Sequence, residues 1–231
     1  MLLAIDTSTR YAGVSLWDGD RAIAALCWYS SHNHTSELMA AIMQILGRAE
    51  AGPADLEAIA VALGPGGFSA LRVGLSCAKG LAMPTNTPLI GVGTLEMEAY
   101  PYASTGLLIC PVLDAGRGEV ASAFFQESEG RWGKLVEEKV CTPEELVAVI
   151  SETTLFCGEG VPQRSSYLRQ ALGSRGVVVS FHTPATRLWS LGVLAGQRLK
   201  KGDVDSMATL QPLYLRRPNI GTPNPPQRIS Q

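Results

Sequence analysis

The chain has 231 residues, 46% of them hydrophobic and 17% charged, with a formal net charge of −2. The length suits one large domain or two small ones, and the composition excludes a disordered chain. The charge excludes a generally basic nucleic-acid binder, and no apolar run reaches the ~18 residues of a membrane span.

The N-terminal segment MLLAIDTSTR has neither the charged start nor the cleavage site of a secretory signal, so a cytoplasmic location is expected. Cys27, Cys77, Cys110, Cys141 and Cys157 are odd in number and widely spaced. They predict buried thiols in a reducing compartment rather than a disulfide framework or a zinc site.

In chain order, residues 2–5 read as a buried strand ending at Asp6. Residues 12–17 and 21–27 read as two more, joined by Asp18-Gly19-Asp20. A helical period covers 35–49. A strand at 56–63 runs into Gly64-Pro65-Gly66-Gly67, and a helix follows over 68–83, stopped by Pro84. A short strand is predicted at 89–92, and 100–106 has the texture of a linker.

The order then repeats. Residues 107–113 form a strand ending at Asp114, and 119–125 and 134–141 are strand candidates. Thr142-Pro143-Glu144-Glu145 is a capping box opening a helix to about 151. A strand at 154–157 runs into Gly158-Glu159-Gly160, followed by a helix at 163–172 and a strand at 177–181. The expected fold is α/β, in two duplicated β-β-β-α-β-α lobes with mixed sheets. The expected boundaries are 1–103 and 104–184. A helix at about 185–201 is placed to pack back on the first lobe, and the proline-rich tail 218–231 is expected to be disordered.

Asp6-Thr7-Ser8 at a strand end, with Gly64, Gly66, Gly67 and Asp114, form a candidate nucleotide or phosphate loop, because unpaired N–H groups at a helix start attract anions. The bland reading is a set of tight turns. No lysine stands at P-loop spacing, and Gly91-Val92-Gly93 and Gly158-Glu159-Gly160 lack the third glycine of a dinucleotide fingerprint. His32, His34 and His182 supply too few clustered ligands for a metal site, and neither HExxH nor GxSxG occurs. No metal ligand is expected.

The two first-lobe helices are more informative. At 100° per residue, Glu37, Gln44 and Arg48 share one side of the first, and apolar residues spread over roughly 220° of the rest. One sheet face needs an apolar stripe of only about 100°. The second helix groups Ala70, Gly74, Cys77, Ala78 and Leu81, and small residues let another helix approach closely. Leu38, Met39, Ile42, Met43, Leu46, Ala70, Gly74, Cys77, Ala78 and Leu81 are therefore the expected partner interface. Gly74→Arg is expected to block pairing in a folded monomer.

These stretches resemble the TsaB (YeaZ) family. The resemblance rests on Leu3 to Thr9, His34-Thr35-Ser36-Glu37 and, most specifically, the block Gly64 to Gly74 continuing through Ala78-Lys79-Gly80-Leu81-Ala82. Asp114-Ala115, Gly118-Glu119-Val120, Gly158-Glu159-Gly160 and Pro212 to Arg216 fall where that family has its later motifs. Gly116 and Ala121 replace an Arg and a Tyr usual there. The resemblance implies an actin-like ATPase (ASKHA) fold. It implies a noncatalytic accessory subunit that pairs through its N-terminal helices with the paralogue TsaD, joined by the ATPase TsaE. The assembly makes threonylcarbamoyladenosine beside the anticodon of tRNAs reading ANN codons. No cofactor of its own is implied, with ATP and Mg expected only at a site shared with partners. tRNA is met only through the complex, and a homodimer is expected for the chain alone. The alternative is an active ATP-dependent transferase of the sugar-kinase class using Asp6 and Asp114 around Mg-phosphate. A metallopeptidase fits three histidines without HExxH poorly.

Overall fold

A computed structural model describes residues 1–31 and 34–216. The first lobe runs β1 (Leu2–Asp6), β2 (Tyr11–Asp18), β3 (Arg21–Tyr29), α1 (His34–Arg48), β4 (Ala58–Gly64), α2 (Phe68–Ala82) and β5 (Leu89–Gly93). After α3 (Thr94–Ala99) the second repeats the order: β6 (Leu108–Gly116), β7 (Glu119–Ser128), β8 (Arg131–Cys141), α4 (Pro143–Ala148), β9 (Thr154–Cys157), α5 (Ser165–Leu172) and β10 (Gly176–Val178). α6 (Pro184–Lys200) follows. Each sheet has five strands, in the orders β3-β2-β1-β4-β5 and β10-β9-β6-β7-β8, which are the same topology. Both are mixed: β1 pairs antiparallel with β2 and parallel with β4, and β6 pairs antiparallel with β7 and parallel with β9.

The central strands are apolar on both faces because helices cover both. One face of the first sheet, including Leu3, Ile5 and Val61, packs on Leu38, Ile42, Ile45 and Leu46 of α1 and Leu75 and Ala78 of α2. The other, with Leu2, Ala4, Ala60 and Val92, receives Leu191, Leu194 and Ala195 of α6. Gly192 is required there, since a Cβ would overlap the Trp17 ring.

The region between the lobes departs from the sequence reading. Residues 94–99 form a helix, and Tyr100–Thr105 is a 3-10 helix rather than a linker. Six residues are too few to show a 3.6-residue period. α3 serves both lobes, with Met97 in the first-lobe core and Leu95 and Ala99 in the second. Tyr100 packs edge-on against Trp132 and stacks with Trp189. β10 is three residues long, shorter than 177–181 suggests. Residues 32–33 and 217–231, including His32 and the tail 218–231, lie outside the described residues.

Candidate functional site: a cleft closed by a buried arginine

A cleft of about 910 Å³ opens between the lobes. Ser8, Gly66 and Gly67 line its first-lobe side, Asp114 and Glu159 its second, and Tyr214 its C-terminal rim. That rim belongs to a strap running back along the first lobe. Asp205 N–H donates to the Leu89 carbonyl at 2.8 Å, and Asp205 Oδ2 accepts from Gly91 N–H at 2.7 Å. Lys79 Nζ donates to the Leu210 carbonyl at 2.8 Å, and Leu213 N–H to the Leu63 carbonyl at 2.7 Å. Tyr214 then stacks on Phe68, with Arg72 over the Phe68 ring at 4.1 Å. Arg216 pairs with Glu119, so the strap ends on the second lobe.

At the base of the cleft the strand-end acid is already engaged. Asp6 Oδ1 accepts from the Ser8 N–H at 2.9 Å and the Ser8 hydroxyl at 2.6 Å. Asp6 Oδ2 accepts from Arg187 Nε at 2.6 Å. Arg187 is 1% exposed. Its Nη1 donates to Glu98 at 3.1 Å and Glu159 at 2.9 Å, and its Nη2 to Thr9 Oγ1 at 3.0 Å and the Tyr11 carbonyl at 2.8 Å. Burial opposes the guanidinium charge, but Asp6, Glu98 and Glu159 outweigh it and hold its pKa above the ordinary arginine value. His182 Nε2 lies 3.0 Å from Glu98 Oε2. Arg187 thus joins β1, α3 and the Gly158–Gly160 loop.

The remaining loop candidates are also satisfied internally. Thr7 Oγ1 donates to the Ala70 carbonyl at 2.7 Å. Gly67 N–H donates to the Ser8 carbonyl at 2.8 Å, and a Cβ on Gly66 would collide with that same carbonyl. Gly66 therefore lets the loop dock on Ser8, while Gly64 at φ +110° makes room for the Leu213 carbonyl and Leu71. Asp114 Oδ1 accepts from Gly116 N–H at 2.7 Å, and Arg164 reaches Oδ2 at 3.4 Å. Gly116 has φ +73°, a conformation that suits glycine better than the usual Arg. A Mg-nucleotide needs a strand-end carboxylate free to face the metal or its water. Asp6, bound by an arginine and a serine, does not fit that role.

The expected interface divides on inspection. Leu38, Ile42 and Leu46 of α1, and Ala70, Gly74 and Ala78 of α2, are buried within this chain, so they build its own core and not a surface. Gly74 corrects the sequence reading in a second way. A Cβ there would run into Thr7 Oγ1, so the glycine serves the approach of α2 to β1, and an Arg at 74 would have to displace Thr7 before it could reach any partner. What α1 leaves outside is Met39 at 42% exposure and Met43 at 55%. α2 adds Val73, Cys77 and Leu81, which are half-buried, beside exposed Ser76 and Gly80. The surplus apolar arc is real but narrower than the sequence suggests, because α1 packs on β2 and α2 as well as on the sheet centre. All five cysteines are free; Cys110, Cys141 and Cys157 are buried, Cys77 is half-buried, and Cys27 is exposed on the edge strand β3.

Arg187 was not among the candidates from sequence. Its signal is an arginine one turn before Leu191 on the otherwise apolar face of the last helix, where an unpaired charge would be costly.

Two lobes of repeated topology around a cleft, joined by helices at its base, define an actin-like ATPase fold. Ethanolamine utilization protein EutJ from Carboxydothermus hydrogenoformans shares that fold at TM-score 0.51 and 12% identity, over 83% of this chain and 88% of that one. YeaZ from Pseudomonas aeruginosa superposes at TM-score 0.76 with 26% identity, over 93% of this chain and 99% of that one. A family model described as "TsaD: tRNA N6-adenosine threonylcarbamoyltransferase" matches residues 29–219. The Bacillus subtilis (strain 168) protein named "tRNA threonylcarbamoyladenosine biosynthesis protein TsaB" is 30% identical over 93% of both chains. Its Escherichia coli (strain K12) namesake is 34% identical over 62% of this chain and 63% of that one. The chain belongs to the TsaB family.

Proposed function

We propose that this protein is the noncatalytic accessory subunit of the machinery that makes threonylcarbamoyladenosine beside the anticodon of tRNAs reading ANN codons. It pairs with the transferase TsaD, and the ATPase TsaE joins the pair. tRNA is met through the assembly, since a chain of net charge −2 releases few counterions by itself. The single observation that carries the noncatalytic reading is the pairing of Asp6 with buried Arg187, which takes the first-lobe strand-end carboxylate out of metal-phosphate chemistry. The kinase-like alternative needs that carboxylate and is not favoured.

The docking face is the apolar strip of Met39 and Met43 with Val73 and Cys77. Unbranched methionines adapt to a partner's contours, and Ser76 and Gly80 let a helix come close. Without TsaD, the same strip serves a two-fold homodimer. The test is complementation: the chain is expressed in cells depleted of their own TsaB, and the modified adenosine is measured by mass spectrometry. Restored modification is expected. No restoration by soluble, folded protein beside a cognate TsaD contradicts the proposal.

A further inference from the structure

The four sheet edges are not treated alike. β5 is covered by the strap through Asp205. β10 has only three residues, and β8 carries Lys134, Glu137, Glu138 and Lys139 along its length. Short strands and charged side chains are the usual guards of an edge. β3 has neither. It runs nine residues from Arg21 to Tyr29 with no charge and no proline between its ends. A bulge facing Leu16 and Trp17 disturbs only its start, so Ala24 to Tyr29 pair regularly with β2. Among the described residues, no backbone group of β3 bonds to any element beyond β2.

Beside this edge lies a groove of about 210 Å³ between β3 and the last turns of α1, lined by Ile23, Ala25, Leu26, Ile45, Arg48 and Ala49. It has room for aliphatic side chains. By helical rotation Arg48 stands roughly 140° from Met43, so the groove is on the flank of α1 opposite the methionine strip. Three guanidiniums follow the edge: Arg21 at its start, Arg48 over the groove, and Arg10, which donates to the Tyr29 hydroxyl at 3.1 Å. None of the three is ion-paired with a described residue.

We propose that β3 and this groove receive an extended segment of a partner protein as a sixth strand, with aliphatic side chains in the groove and acidic ones toward Arg48 and Arg21. Main-chain bonds to the open edge supply affinity, and the groove and guanidiniums supply selectivity. A second copy of this chain is the wrong occupant. Paired antiparallel about Ala25, two β3 strands would bring two Arg48 side chains together. The site is separate from the methionine strip and stands whether or not that strip binds TsaD.

The experiment titrates the isotopically labelled full chain with a capped Val-Ser-Glu-Ser-Val peptide, whose valines and glutamate share the face toward the groove and Arg48, followed by amide shifts and hydrogen exchange. Its Val-Ser-Lys-Ser-Val counterpart and an acidic version N-methylated at alternate residues are run beside it. Saturable shifts confined to 24–29 and 45–49 are expected, with slowed exchange in β3 and no binding after N-methylation. Arg48→Glu, an exposed substitution, is expected to weaken the acidic peptide about fivefold or more, the size of one exposed ion pair, and to favour the lysine peptide. Three results would overturn the proposal: no shift at β3 up to millimolar peptide, equal binding of the lysine peptide, or binding that survives N-methylation. Concentration-dependent protection of β3 without peptide would overturn it in favour of a second copy.

Discussion

Arg187 shows how one buried charge can hold the two lobes in register. Its carboxylate partners Asp6 and Glu98 are themselves buried, so truncating the arginine strands two negative charges out of water. Removing one partner of such a network costs about 3–5 kcal/mol. Arg187→Met is expected to lose that much in urea unfolding, and an unchanged midpoint would contradict the network's importance. Gly74→Val is expected to destabilise the chain by about 1–3 kcal/mol through overpacking against Thr7; thermal unfolding reads it. Glu96 supplies a pH test. Burial raises its pKa, against the opposing Trp132 hydrogen bond and the nearby Arg198 and Lys134 charges. The folded state then holds this proton more tightly than the unfolded chain, so stability falls as pH rises from the ordinary glutamate value through the raised one. Glu96→Gln keeps the acceptor for Trp132 and is expected to raise the melting temperature at pH 7 but not at pH 4. A gain of equal size at both values would show that ionisation is not the cause.

At the scale of elements, the repeated β-β-β-α-β-α order was legible because each central strand is an apolar run ending in an acid and each long helix has a period and a stop. α1 at 34–48 and α2 at 68–82 lie within a residue of their expected ends. α3 was hidden, because a six-residue helix buried between two lobes has neither a polar face nor a cap to announce it. The exposed apolar arc was half legible. Periodicity finds which residues of α1 and α2 are apolar, but not how many neighbours inside the chain will cover them. Leu38, Ile42 and Leu46 went to the core, while Met39 and Met43 were left at the surface. Gly74 was misread for the same reason: a small residue in a helix signals a close approach without saying whether the neighbour is a partner or the protein's own Thr7.

Over the whole molecule, the cleft of this fold is retained while several of its polar groups are tied up within the chain. Gly66 lets its loop dock on Ser8, its first acid is bound to an arginine, and its rim is lined by a strap tied to both lobes. None of these contacts was readable in the sequence, since each joins residues far apart along the chain. Arg187 meets Asp6 across 181 positions and Lys79 meets Leu210 across 131. With Asp6 at the base of the cleft bound to Arg187, the proposed pairing with TsaD rests on the outer surface of α1 and α2. The direct measurement is the affinity of the full chain for a cognate TsaD, with Met39 and Met43 changed to Asp. Both side chains are exposed, so the double variant is expected to keep its melting temperature and to lose at least a hundredfold in affinity, as a buried central pair would. An affinity unchanged in the folded variant would contradict the account.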